Sequence, residues 1–307
     1  MALLTAMLFT SSPALAATPL VDPAWVKAHI GDPGVVFLDV RTRTEYLRAH
    51  VPGAIHTDYV LDGWRVDRGP IPAQLPEHPA SLSRLVGGLG IDTKTHVVIL
   101  PEGRTFHDVG IATRIYWTLK LLGVNDVSIL NGGQEAYERE ATRYGKPLNP
   151  LETGMVTPIP KTFSAIVRTG MLVSADEVDK ARQAGTLLVD TRPEEQFTGA
   201  VQHPTAKSPG TIPGARNLPA SRMTVNGGGL FPDKKQLEAI HATAGIPPDD
   251  VQIAFCNTGH NASINWFVTS ELIGNKTARL YSGSLVECPL SPCPGGPGEG
   301  PGCGPSR

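Results

Sequence analysis

Cys256 stands between a short apolar run, Val251 to Phe255, and a stretch, Ala262 to Leu272, whose pattern predicts a helix. A cysteine at a strand-to-helix handover lies near unpaired backbone N–H groups and the positive end of the helix dipole. That setting favours a thiolate, the form of cysteine that attacks. Lowering a thiol from pKa ~8.5 to ~6.5 would be worth roughly 2.7 kcal/mol and would leave most of it ionised at neutral pH. The loop Cys256-Asn257-Thr258-Gly259-His260-Asn261, closing on Ala262, is short enough to curl its N–H groups inward as an anion cradle. Two chemistries use such a cradle. Phosphate or arsenate chemistry, as in a cysteine-dependent phosphatase or arsenate reductase, needs an arginine five intervening residues after the cysteine, to clamp oxygens bidentately. Ala262 occupies that position, with Ser263 after it. Sulfur transfer needs only the thiolate and the cradle, and the third alternative is binding without turnover.

The elements that must hold this loop occur twice. Val35 to Arg41 and Leu187 to Arg192 are apolar strands ending in Asp-x-Arg, Asp39/Arg41 and Asp190/Arg192. Val51-Pro52-Gly53-Ala54 and Ile212-Pro213-Gly214-Ala215 follow, the second after about ten extra residues from Thr198 to Gly210. Each copy then has a helix end at a glycine, a strand (His96 to Leu100; Val251 to Phe255) and a helix (Ile111 to Leu122; Ala262 to Ile273). A last strand leads into Asn131-Gly132-Gly133 or Ser282-Gly283-Ser284. Strands alternating with helices predict an α/β fold, two tandem domains each with a mostly parallel sheet flanked by helices. The expected divisions are residues 18–141, a Pro-rich extended linker over 142–162, and 163–287, with Phe163 to Val167 opening the second sheet. In the first copy Pro101 to Asp108 replaces the cysteine loop. That copy keeps the architecture without a nucleophile.

These landmarks, with Cys256-x-x-Gly259, resemble those of the tandem-domain rhodaneses, the thiosulfate and 3-mercaptopyruvate sulfurtransferases. The resemblance spans about Pro19 to Glu287. It implies that Cys256 takes the outer sulfur of a small anionic donor as a persulfide and passes it to a thiol or cyanide. It also implies that Asn257, Thr258, Gly259, His260, Asn261 and Ala262 form the substrate-binding loop, with no cofactor and no metal. A non-catalytic sulfur carrier of the same fold is the alternative. Many relatives carry an arginine for the donor's charge where this chain has Gln196, and Pro193-Glu194-Glu195 before it is acidic. His260 could supply positive charge when protonated, or be a rim residue; Lys207 could reach the mouth. Asp190 and Arg192 support the site, although their recurrence as Asp39/Arg41 favours a buried structural ion pair. His50, His56, His107 and His203 lack metal-ligand spacing and read as surface or loop histidines.

A net charge of −2 with no basic run excludes charge-driven nucleic-acid binding. Residues 1–16 read as an export signal, an apolar run closing on Ala14-Leu15-Ala16, with cleavage before Ala17 and a periplasmic or secreted product. No later stretch is long and apolar enough for membrane insertion. Residues 288–307 are Pro, Gly, Ser and Cys, read as a disordered and possibly frameshifted tail, and they hold three of the four cysteines, Cys288, Cys293 and Cys303.

Overall fold

The computed structural model describes residues 17–139, 145–206 and 208–287. The expected export signal, the tail with its three cysteines, and Lys207 lie outside them. In the first domain the strands are β1 (Leu20–Val21), β2 (Val35–Asp39), β3 (Ile55–His56), β4 (Val66–Arg68), β5 (Ile71–Gln74), β6 (His96–Leu100) and β7 (Val127–Leu130). Its helices are α1 (Pro23–Ala28), α2 (Arg43–Arg48), α3 (Pro79–Gly88), α4 (Phe106–Leu121) and α5 (Gly133–Arg139). The second domain has strands β8 (Leu187–Asp190), β9 (Arg216–Asn217), β10 (Gln252–Phe255) and β11 (Arg279–Leu280). Its helices are α6 (Ala175–Gln183), α7 (Glu194–Phe197), α8 (Lys234–Thr243), α9 (Ala262–Phe267) and α10 (Ser284–Glu287). From Val268 to Ile273, α9 continues as a π-helix that stops at Gly274.

The sheets are parallel, ordered β1-β7-β6-β2-β3 and β11-β10-β8-β9, and a separate antiparallel pair joins β4 to β5. The duplication extends to register, since Asp39 pairs with Leu100 and Asp190 with Phe255. Strands buried on both faces read as continuous apolar runs, as β6 and β10 do. Alternation then sends neighbours to opposite faces. Ile253 and Phe255 join an outer cluster, whereas Ala254 and Cys256 face a large cluster that runs unbroken from the first sheet into the second. That shared core is organised by α4 packing on α9. Tyr116 meets Phe267 edge-on at 4.9 Å and donates its hydroxyl proton to Glu271 at 3.0 Å, and Thr113 and Ser263 hydrogen-bond at 2.7 Å.

One expectation fails here. Phe163 to Val167 open no strand of the second sheet. They run along the first domain: Phe163 is buried in the shared core, Ala165 N–H donates to Ser83, and Ile166 N–H donates to the Leu122 carbonyl. The described part of the linker is pinned to the same domain, with His50 and Glu152 exchanging backbone hydrogen bonds of 2.9 Å each way. The apolar residues at 163–167 are therefore spent on closing the first domain's helical face. His50 also departs from its expected surface position; it is fully buried, stacked on Tyr46 and bonded to the Tyr46 carbonyl.

Candidate active site

Cys256 follows the last residue of β10 and is 3% exposed. Its Sγ accepts the N–H of Gly259 at 3.1 Å, the contact a sulfur anion would strengthen. Its own N–H donates to Ser284 Oγ at 3.1 Å, and its carbonyl accepts from Leu285 N–H. The loop is thus clamped from below by the turn after β11. Ser284 holds this position with φ +53°, a left-handed conformation unusual outside glycine, and its hydroxyl donates to the Tyr281 carbonyl. Gly259, at φ +75°, is required twice over. A Cβ there would collide with the Ser282 carbonyl and come within 2.8 Å of Arg114 Nη1. The helix beyond, α9, has no side-chain cap at Asn261.

Asn257 donates to Gln196 Oε1 at 3.0 Å, so residue 196 meets the loop as a neutral partner. Asn257 Oδ1, His260 Nδ1 and Asn261 Oδ1 are buried without hydrogen-bond partners. His260 Nε2 lies 3.3 Å from the His107 carbonyl, which can only accept, so Nε2 carries the proton and Nδ1 is the free acceptor. Burial pushes the His260 pKa down to about 4, and nearby Arg114 and Arg65 push the same way. His260 is therefore neutral at physiological pH, and the expected positive charge from it is absent. Ala262 is fully buried, where a phosphate-clamping loop would need a cation.

Asp190 and Arg192 form a buried bidentate pair, with Nε to Oδ1 at 3.0 Å and Nη2 to Oδ2 at 2.6 Å, and Nη2 also donates to the Gly210 carbonyl. Asp39 and Arg41 reproduce it, with Arg41 Nη2 on the Ala49 carbonyl. In both copies the pair ties a strand end to the next crossover. Arg192 also contributes to the wall of a cavity of about 540 Å³ that Cys256 lines together with its loop.

Gln196, His203 and Ser221 of the second domain line it too, and the first domain supplies the facing wall through Tyr59, Val60, Arg65, His107, Asp108 and Ile111. Beneath the loop lies Arg114, 3% exposed, which donates from Nη1 to the Gly259 carbonyl at 3.2 Å and stacks over Trp117. No carboxylate among the described residues pairs with it. Burial lowers its pKa, against the opposing pull of Tyr59 and Cys256. Sequence reasoning did not single out Arg114, although one arginine inside the apolar run Ile111 to Leu122 was a legible signal. Ser284 was visible only as part of a glycine-bearing turn, and nothing local marked Arg65 or Tyr59. No cluster of His, Cys, Asp and Glu suited to a metal occurs among the described residues.

Fold and site together define a duplicated α/β protein in which one copy carries a cysteine loop and the other roofs it. The Rhodanese-like domain family matches residues 22–140 and 174–288, and the chain belongs to that family. It is 30% identical over 282 residues to a putative thiosulfate sulfurtransferase 1 of Mycobacterium bovis, covering 87% of this chain and 93% of that one. It is 27% identical over 280 residues to the sulfur carrier protein TtuD of Thermus thermophilus, covering 92% of it. Among solved structures, SseA of Escherichia coli, described as a 3-mercaptopyruvate sulfotransferase, superposes with a TM-score of 0.73 at 27% identity, over 87% of this chain and 99% of that one.

Proposed function

We propose that the protein is a sulfurtransferase that moves a sulfane sulfur from thiosulfate or 3-mercaptopyruvate to cyanide or a thiol through a Cys256 persulfide. The observation that carries this reading is the Gly259 N–H on Cys256 Sγ at the floor of a cavity large enough for a small donor. The thiolate attacks the outer sulfur of the donor. A bond forms between Cys256 Sγ and that sulfur as the donor's own bond to it breaks, and sulfite leaves with the electron pair when the donor is thiosulfate. Cyanide then attacks the terminal sulfur, thiocyanate departs, and the thiolate returns. Two half-reactions of this kind give ping-pong kinetics. Ala262 in place of a clamping arginine leaves phosphoryl transfer without its electrostatic partner.

Intact mass of the purified protein mixed with thiosulfate, then separately with 3-mercaptopyruvate, tests the reading. The mass rises by one sulfur atom at Cys256, and cyanide removes it as thiocyanate. Cys256→Ser abolishes both the gain and the release. The carrier alternative, suggested by the likeness to TtuD, predicts a sulfur-loaded cysteine that discharges to a protein partner and not to cyanide. For the start of the chain we propose cleavage before Ala17 on export, which N-terminal sequencing of the mature protein checks.

A further inference from the structure

The two domains cover each other's loops by equivalent arms. After β9, the second domain sends a segment over the first domain's cysteine-free loop: Gly132 N–H donates to the Gly229 carbonyl at 3.2 Å, and a Cβ on Gly229 would strike Gly103. After β3, the first domain sends the reciprocal arm over the Cys256 loop. Its polar start is a folded turn in which Asp62 accepts from Thr57 Oγ1 and from Asp58 N–H, and Trp64 donates to Thr57 at 2.8 Å. Trp64 is 2% exposed and anchors the arm in the shared core. Arg65 comes next. Its guanidinium lies over the Tyr59 ring at 4.9 Å and faces the same cavity as Cys256.

The charges around that cavity single Arg65 out. Arg192 is neutralised by Asp190, burial lowers the pKa of His203 in the same wall, and His260 is neutral at physiological pH. Asp108 is the opposing charge, but its carboxylate is engaged by the N–H groups of Arg104 and Thr105. Arg65 has no carboxylate or carbonyl partner among the described residues. A guanidinium held over an aromatic face keeps its charge while its fork of donors stays free for an oxyanion.

We propose that Arg65, from the domain without the cysteine, is the donor-recognising residue of the site. It would bind the anionic oxygens of sulfur donors whose charge lies one or two atoms from the transferred sulfur, thiosulfate and thiosulfonates. This rests on the sulfurtransferase reading for the identity of the ligand, but not for the placement of the charge.

Two measurements separate those claims. The first uses no sulfur chemistry: the rate of Cys256 alkylation by iodoacetate, an anion, relative to neutral iodoacetamide. Arg65→Gln lowers that ratio by about tenfold, and Arg65→Lys retains most of it, as expected when one partly solvated positive charge is removed or kept. An unchanged ratio in Arg65→Gln overturns the proposal, whether or not the protein transfers sulfur. The second is steady-state transfer from thiosulfate to cyanide. Arg65→Gln raises the thiosulfate KM about tenfold and lowers kcat far less, and Arg65→Lys recovers the KM. A fall in kcat with KM unchanged assigns Arg65 a structural role and overturns the proposal. If the wild type loads no sulfur from any donor while the alkylation ratio still depends on Arg65, the sulfurtransferase reading fails and the anion site stands.

Discussion

The two strand-to-helix handovers, after β6 and after β10, start from the same geometry and end in opposite electrostatics. After β6 the chain takes Pro101 to Thr105 before entering α4, and Thr105 with Asp108 closes a capping box in which the Asp108 carboxylate takes the N–H groups of Arg104 and Thr105. The positive helix start is spent on a fixed carboxylate. Glu102 adds a second acid, its pKa raised chiefly by burial and held back by Arg41 and Arg104. After β10 there is no carboxylate and no side-chain cap, and the first hydrogen bond into the loop goes from Gly259 N–H to sulfur. The lesson is that one handover is closed by a carboxylate while the equivalent one is left to a sulfur atom. One copy supplies the anion from its own sequence, and the other leaves room for a thiolate or a ligand.

Moving the nucleophile to the first handover carries the largest expected effect. Pro101→Cys, which puts the thiol one residue past β6 as Cys256 stands one residue past β10, on a Cys256→Ser background should take up no sulfur from thiosulfate by intact mass, because the Asp108 carboxylate already occupies the N–H groups there; any loading would show that the cap does not decide reactivity. Next in size is Gly259→Ala. The substitution forces a side chain onto φ +75° against the Ser282 carbonyl, and a displacement worth about 3 kcal/mol at the loop would lower transfer by about 100-fold. The protein should still fold, so single-turnover loading beside an unfolding curve checks it, and loading at the wild-type rate would show that the loop is not held as tightly as Ser282 and Arg114 imply.

The smallest effect concerns His260, which the second handover keeps neutral. Its folded pKa, about 4, lies below the ordinary histidine value of about 6.5, so between those values the unfolded chain binds the proton first. Its contribution to stability is therefore complete above pH ~6.5 and is lost as pH falls toward 4. His96 and His241, also lowered by burial, add slopes of the same sign. Thermal unfolding from pH 7.5 to 4 should fall less steeply in His260→Gln than in the wild type. Identical slopes would mean that His260 is solvated like a rim residue.

Much of the fold is legible in the chain because its signals are local. Asp-x-Arg at two strand ends, Pro-Gly-Ala before two short strands, and glycines at helix stops each depend on a few adjacent residues, and they recur in order. Phe163 to Val167 misled because a mostly apolar pentad fits a strand or a packed extended segment equally well; its partners Ser83 and Leu122 lie 82 and 44 residues away. The roles of Asp190 and Arg192 were readable from recurrence, since a pair present without the cysteine cannot owe its existence to it. Their bidentate geometry in both copies gives the physical reason, a crossover carbonyl held at Ala49 or Gly210.

By itself the sequence determined the duplicated α/β architecture, the single cysteine loop in the second copy, and the uncharged residues Ala262 and Gln196 at two positions close to that loop's chemistry. Each of these is a matter of residue type at a fixed local spacing. Only the tertiary structure decided that the domains share one core, that Arg114 supports the loop from beneath, that Ser284 ties it from the following turn, and that Arg65 lines the same cavity as the thiol. Those contacts join residues 28 to more than 140 positions apart, such as Cys256 with Ser284 and Arg114 with Gly259. No local pattern encodes them: Ser284 reaches Cys256 only when β11 pairs with β10, and Arg114 reaches Gly259 only when α4 packs against α9.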